Sequence, residues 1–355
     1  PQNCLYLGRY KSLRAFFINK IRFNLFAPLG SRAFEAIGGE VVNTLLSIFS
    51  DEIPTVDETF CSIDANRGGN ASAKELLISN EIPIHLNQKN QISNPDSIIT
   101  TSEAFTGDLL SSYASALSGT SAGDAPRYLR KFWEVSDLRP NWEFHQTTVN
   151  ELKDFGGKDE IIFWENEGGE MYKVAQEVRH LNHAAQNWLR GKPNWGKMGV
   201  VISQMGELHP TLYTGAIYDC NACAIVPNRA SDLPAIWAYA ASGELSLAVR
   251  KFDKSLKVTP KNLLKIPFDH NFWSERAKVC FPDGLPEPFS SDPTQWLFHG
   301  HPGNSETGTS LHVALARLCG YRWPAEAASK IHVSDEARVW IAKAEALPPG
   351  DNDGL

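Results

Sequence analysis

Apolar and polar positions alternate along the chain in a way that predicts a succession of short helices and strands. In RYKSLRAFFINKIR (9–22), Leu13, Phe16, Phe17 and Ile21 recur at helical spacing with cations between them, which predicts a basic amphipathic helix. FNLFAPL (23–29) predicts a short strand ended by Gly30. VVNTLLSIF (41–49), a nearly continuous apolar run, fits a strand buried on both faces of a sheet, or a buried helix, which periodicity alone does not separate. ETFCSIDA (58–65) predicts another strand, RGGN a loop, and 71–80 a helix whose Ser72 and Glu75 have capping-box spacing. The polar, turn-rich stretch HLNQKNQISNPDSIITTS (85–102) marks a domain boundary. Beyond it, strands are expected at 160–165, 199–204, 211–218 and 222–226, and helices at 171–190, 233–242, 244–254 and 310–319. They lack a regular strand–helix–strand rhythm, so the second region is expected to be mixed α+β.

Composition adds bounds. A length of 355 residues allows two or three domains, and 42% apolar with 21% charged residues is enough for a sizeable core. The chain has no apolar run of transmembrane length and no secretion signal, and its six cysteines are too sparse for a disulfide scaffold. A cytoplasmic home without membrane partners is expected. The first 130 residues hold none of the ten Trp, which supports two separately built units. The opening Pro1 and the closing DNDGL read as the ends of a fragment.

The net charge of −7 by itself argues against a nucleic-acid binder, but the charge is segregated. Residues 1–33 carry six basic side chains and no acid, whereas 51–170 carry 21 acids against nine bases. Arg179, Arg190, Lys192 and Lys197 form a second basic stretch. Arg250, Lys251, Lys254, Lys257, Lys261 and Lys265, against Asp253 alone, form a third. Such a chain can offer a basic face to a phosphate backbone; a merely solvated, patchy surface is the plainer reading of each run alone.

Few motifs carry chemistry. Cys220 and Cys223 form a lone CxxC without the second pair of ligands a zinc site needs, and read as small buried side chains. His299 and His301, with Asp292 or Asp283, could hold a metal for a hydrolase, although a Pro- and Gly-rich surface loop is the simpler reading. The chain has no phosphate-binding glycine loop, and Ser203 and Ser310 lie in no nucleophile elbow. Catalytic, cofactor-binding and metal-binding residues are therefore expected to be none. The segment 186–218 interleaves Trp188, Arg190, Lys192, Trp195 and Lys197, then offers Gln204, Tyr213 and Thr214. Cations suit phosphates, Gln can pair with adenine, and aromatics stack on bases, so this segment is a DNA-contact candidate beside a Trp-anchored core as the alternative.

Nine runs carry a family resemblance: PQNCLYLGRYKSLR (1–14), LGSRAFEAIGGEVVNTLLSIFS (29–50), FWEV (132–135), FHQTTVNELKDFGG (144–157), WGKMGVVISQM (195–205), TLYTGAIYDCNACAIVP (211–227), LPAIWAYAAS (233–242), LPEPFSSDPTQWLFHGHP (285–302) and VALARLCGYRWPAE (313–326). Together they resemble the C-terminal portion of type IIG-style N6-adenine DNA methyltransferases of restriction–modification and phage-defence systems of the BREX and DISARM kind. The resemblance implies an α/β fold, in which residues 1–84 are the C-terminal part of a Rossmann-like methyltransferase sheet. Residues 85–102 would be a linker, 103–330 a mixed α+β target-recognition domain, and 331–355 a truncated tail. It also implies double-stranded DNA and other defence-system subunits as partners, and S-adenosyl-L-methionine as cofactor. The chain has no NPPY motif and no glycine motif for that cofactor, so the cofactor would be bound upstream and the fragment alone would be inactive. On this reading Arg14, Lys192, Trp195, Lys197, Gln204, Tyr213, Lys257 and Lys261 are the expected DNA contacts, Gln204 at a base edge and the lysines at phosphates. A stand-alone, non-catalytic DNA-specificity module is the alternative from another class, and the His299/His301 hydrolase a further one.

Overall fold

The computed structural model describes residues 2–35, 43–104, 107–131, 134–135, 141–180, 188–253, 255–288 and 335–346. Among the described residues the architecture is mixed α/β, with three four-stranded sheets. The chain divides into two units: unit 1 gathers Pro1–Leu109, Leu247–Ser255 and Lys265–Phe268, and unit 2 gathers Leu110–Ser246, Leu256–Leu264 and Asp269–Leu355. Among the described residues, no helix is long and apolar enough to cross a membrane.

Unit 1 begins with α1 (Lys11–Lys20), which leads directly into β1 (Arg22–Gly30). β2 (Thr44–Ser50), β3 (Thr59–Ser62), α2 (Ala71–Asn80) and β4 (Ile84–Asn87) follow. The strand order is β2-β1-β3-β4; β1 runs antiparallel to β2 and parallel to β3, and β3 antiparallel to β4. Phe23, Phe26 and Phe60 are fully buried and meet edge to face at 4.8–5.8 Å between centroids, a geometry that adds about 0.5–1.5 kcal/mol per pair beyond burial.

Three expectations for this unit change. β2 is an edge strand that exposes Leu46, Ile48 and Phe49, so the apolar run is not buried on both faces. α1 turns Arg14 and Ile18 inward and leaves Leu13 and Phe16 exposed, with Phe17 and Ile21 half-buried, so the buried face is shifted from the expected one. α2 is capped by Asn70, whose Oδ1 accepts the Ala73 N–H at 2.8 Å, not by Ser72.

The polar stretch after β4 belongs to the body of unit 1, where Gln88, Gln91, Asn94 and Ser97 are buried. Gln88 Oε1 accepts the Phe23 N–H at 2.9 Å, and its Nε2 donates to the carbonyls of Ile18 and Ile21 at 2.9 and 2.8 Å. One side chain thus satisfies the C-terminal end of α1 and the first rung of β1, which would otherwise be orphaned. Gln91 Oε1 accepts from Asn94 and from both the N–H and the hydroxyl of Thr100.

Unit 2 starts with β5 (Ala114–Ser118), a short α3 (Ala125–Tyr128), β6 (Leu129–Lys131), β7 (Trp142–Gln146), β8 (Glu160–Phe163) and α4 (Glu170–Glu177). Then come β9 (Gly199–Ser203), β10 (Pro210–Tyr213), β11 (Ile217–Tyr218) and β12 (Ala222–Pro227). The helices α5 (Leu233–Ala241), α6 (Glu244–Phe252), α7 (Pro260–Leu263), α8 (His270–Cys280) and α9 (Asp335–Glu345) complete the order, with part of α6 belonging to unit 1. One sheet has the order β10-β9-β12-β5, the other β11-β7-β8-β6. The expected strand 211–218 is broken into β10 and β11 at Thr214–Ala216, and α4 is shorter than the expected helix 171–190. The expected helix 310–319 lies outside the described residues.

The long connection from β7 to β8 covers the free edge of β10. The Leu212 N–H donates to the Asp154 carbonyl at 2.8 Å, and the Gly156 N–H to Thr211 Oγ1 at 2.8 Å. Gln146 Nε2 bridges the carbonyls of Gly156 and Leu212 at 3.0 and 3.1 Å. The part of the run FHQTTVNELKDFGG that follows β7 is therefore a sheet-edge cover, one of the ways a fold protects an open strand.

Candidate nucleic-acid interface

β9 is buried at every position and carries a turn before it and another after it. The turn before it holds Lys192, Trp195 and Lys197. Trp195 anchors this turn: its ring meets Trp164 edge to face at 5.3 Å and packs against both the Tyr128–Trp164 cluster and the Val201–Tyr218 cluster. Asn194 is buried beside it, donating to Tyr218 Oη at 3.3 Å and to the Ala224 carbonyl at 3.2 Å. The Asn194 carbonyl accepts the Tyr213 hydroxyl at 3.2 Å. Gly196 and Gly215 pass each other closely; the Gly196 N–H donates to the Gly215 carbonyl at 2.8 Å. Their φ angles of 77° and 94° need glycine, and a Cβ on Gly215 would come within 2.8 Å of Gly196 Cα. From this fixed base Lys197 and Met198 reach solvent, while Lys192 and Trp195 are half-buried.

The structure separates the other expected contacts. Lys257 is exposed at the opposite end of β9, where its ammonium donates to the Cys220 carbonyl at 3.0 Å and to Asn221 Oδ1 at 2.9 Å. Lys261 is exposed on α7, next in that segment. Five strand residues at roughly 3.3 Å each put about 17 Å between the two ends. The lysines of 192–197 and those of 257–261 are thus two groups.

Three expected contacts are turned into the core. Gln204 is buried: its Nε2 donates to the Val258 carbonyl at 2.8 Å, and its Oε1 accepts from Ser118 at 3.2 Å. Its amide is committed to the fold and has no free edge for a base. Tyr213 is buried with its hydroxyl on the Ala216 and Asn194 carbonyls, and burial pushes its ionisation far above the ordinary range. Arg14, in unit 1, is 2% exposed; its guanidinium binds the carbonyls of Cys4, Leu7, Asp96 and Ser97. Burial lowers its pKa, with Asp96 opposing that shift. Arg14 gathers chain segments where a DNA contact was expected.

Lys158 went unnoticed in the sequence. Its Nζ donates to Thr214 Oγ1 at 2.8 Å, beside the Gly196–Gly215 crossing. Burial pushes its ammonium down to about 8.

Cys223 is buried within β12 and Cys220 is half-buried; burial raises both thiols, which leaves them as packed side chains. Among the described residues, no group of three or more His, Cys, Asp or Glu could hold a metal ion. His299, His301 and Asp292 lie outside the described residues. Beside Gly30 and Gly68 in unit 1 there is no open cradle for S-adenosyl-L-methionine, the cofactor that the resemblance implies, whereas Gly69 faces open space. A Cβ at Gly30 would lie 2.2 Å from Asn66 Oδ1, and one at Gly68 would lie 2.7 Å from Lys74 Cγ. The space beside these glycines is filled by the chain's own side chains, so neither forms a cradle for a nucleoside.

No protein-family model and no curated protein matches the chain. Among solved structures it is similar to the Type IIL restriction-modification enzyme MmeI in complex with DNA, with a TM-score of 0.41 and 8% identity. The similarity covers 92% of this chain and 42% of that one, so the chain spans less than half the length of that enzyme.

Proposed function

We propose that this chain is the C-terminal portion of a site-specific DNA adenine-N6 methyltransferase of a restriction–modification or phage-defence system, and that unit 2 is its DNA-recognition part. The observation that carries the reading is the Trp195-anchored turn, which presents Lys197 on a base fixed by the buried strand β9. Because the backbone carrying Lys197 is already fixed, contact with a phosphate orders only its side chain. The resemblance adds support, because the run 144–157 includes the cover of the β10 edge, 195–205 holds the turn and β9, and 211–227 runs from β10 through β12. In unit 1, α1 leading into β1, with β3 parallel to it, suits the C-terminal edge of a Rossmann-like sheet.

In the intact enzyme the target adenine would be flipped out of the duplex for methylation. S-adenosyl-L-methionine would be held by residues other than those described, and this chain's contribution is to engage double-stranded DNA and select the site.

Binding of the full chain to labelled duplex DNA over a salt series tests the first claim. Affinity should fall linearly with salt on logarithmic axes, and K192A/K197A should weaken binding to every sequence, lowering the slope by about 0.9 for each lost phosphate contact. A slope unchanged by both substitutions rejects the assignment. Calorimetric titration of the chain with S-adenosyl-L-methionine tests where the cofactor sits: no uptake is expected, and uptake would place its site within this chain.

A further inference from the structure

Lys158 is a cation that the fold leaves without a counter-charge. It ends the connection between β7 and β8, with its Nζ on Thr214 Oγ1 at 2.8 Å and 5.4 Å from the centroid of the Phe155 ring. Among the described residues, no carboxylate lies within ion-pairing distance of it. The acids of its own connection are engaged elsewhere or lie beside it in sequence. Glu151 pairs with Lys153 at 2.9 Å, Glu160 pairs with Lys131 and His145, and Asp159 is the next residue. Asp154 turns its carbonyl to Leu212 and Thr211. Across from it, Thr214 and Gly215 bring a hydroxyl and main chain, and the turn bonded to Gly215 carries a second cation, the exposed Lys197.

The half-buried ammonium has a hydroxyl and a ring face as partners and no carboxylate to balance its charge, and burial lowers its pKa to about 8. A group held at a cost in stability is characteristic of a binding site. The Thr214 oxygen accepts from Lys158, which leaves its own O–H proton for an anion.

We propose that Lys158 and Thr214, with Lys197 on the turn bonded to Gly215, form a seat for one backbone phosphate of nucleic acid. The inference rests on the DNA-binding reading of unit 2 and names a contact within it. Lys158 supplies a charge already positioned and partly stripped of water, Thr214 a second donor, and Lys197 the outer charge.

The test compares wild type, K158M, K158R and T214V as full chains, by duplex binding over a salt series and by thermal unfolding. K158M should weaken binding about tenfold, lower the salt slope by about one, and raise Tm at neutral pH. K158R should restore the slope, and T214V should weaken binding several-fold at unchanged slope. A lower Tm in K158M makes the lysine a structural strut and overturns the proposal. So does an unchanged slope in K158M while the wild type binds DNA, and in that case the DNA-binding reading stands. If the wild type shows no salt-dependent duplex binding, that reading fails, and inorganic phosphate decides the seat. Phosphate at matched ionic strength should then raise the Tm of the wild type and not that of K158M; an equal response in both overturns the seat as well.

Discussion

Gln204 and Val258 are joined twice: the Gln204 side-chain amide donates to the Val258 carbonyl at 2.8 Å, and the Val258 N–H donates to the Gln204 carbonyl at 2.9 Å. The pair fastens the segment before α7 to the end of β9, and Ser118 on β5 completes the set by donating to Gln204 Oε1. Q204A would leave the Val258 carbonyl and the Ser118 hydroxyl short of partners in a buried place. It should cost about 1–3 kcal/mol, with a matching fall in Tm. Sequence preference among duplexes should not change, because the side chain does not reach a base edge. A relaxed preference at one base pair, without loss of stability, would sink this reading.

Gln88 plays the corresponding part in unit 1, and more groups depend on it. Q88A orphans the Phe23 N–H and the carbonyls of Ile18 and Ile21 together. A destabilisation of about 3 kcal/mol is expected, at the upper end for a single buried polar side chain. Hydrogen exchange provides the local check: the Phe23 amide should lose its protection in Q88A, while the amides of β9 keep theirs.

These two glutamines show why part of the fold could be read from the sequence and part could not. β9 and β12 are continuous apolar runs between turn residues, and hydrophobicity alone announces them. The stretch after β4 is just as deeply placed, but its buried Gln88, Gln91 and Asn94 satisfy one another and the main chain, so composition suggested a linker. β2 misled in the opposite direction, since an apolar strand was read as buried when it lies at a sheet edge. In the candidate site, Trp195 and Lys197 stood out through their interleaving. Lys158 sits between GG and DE without an aromatic–cation pattern, and only the fold brings it to Thr214, 56 residues further on. For Gln204, residue type suggested a base contact and burial determined otherwise.

The two lysine groups at the ends of β9 should act independently. Groups carried at opposite ends of a strand about 17 Å long, with no shared partner, contribute additively to binding. The logarithmic loss of affinity in a K192A/K197A/K257A/K261A variant should equal the summed losses of the two double variants, within about 0.5 kcal/mol. K257A should also loosen the Cys220–Asn221 turn and lower Tm slightly, because its ammonium holds both residues. A strongly non-additive result would mean that the two groups contact a single phosphate cluster.

Asp232 gives unit 2 an acid-sensitive joint. Its carboxylate, 3% exposed, takes a two-pronged contact from Arg229 at 3.0 and 3.1 Å and meets His270 Nε2 at 3.1 Å, tying the starts of α5 and α8 together. Tyr113 stacks on His270 at 4.9 Å and closes the other side. Burial pushes the Asp232 carboxyl up, but the hydrogen bonds and charges of Arg229 and His270 outweigh that and hold it below its ordinary value. The folded protein therefore binds this proton less readily than the unfolded chain. The contribution to stability is fully present above the unfolded carboxyl pKa, and it is lost as pH falls through that value and then through the lower folded one. D232N should lower Tm at neutral pH, by about 1–3 kcal/mol in stability, because Arg229 and His270 lose a charge-assisted acceptor. It should also flatten the acid limb of a stability–pH curve. An acid limb of the same steepness in D232N would place the acid sensitivity on other carboxylates.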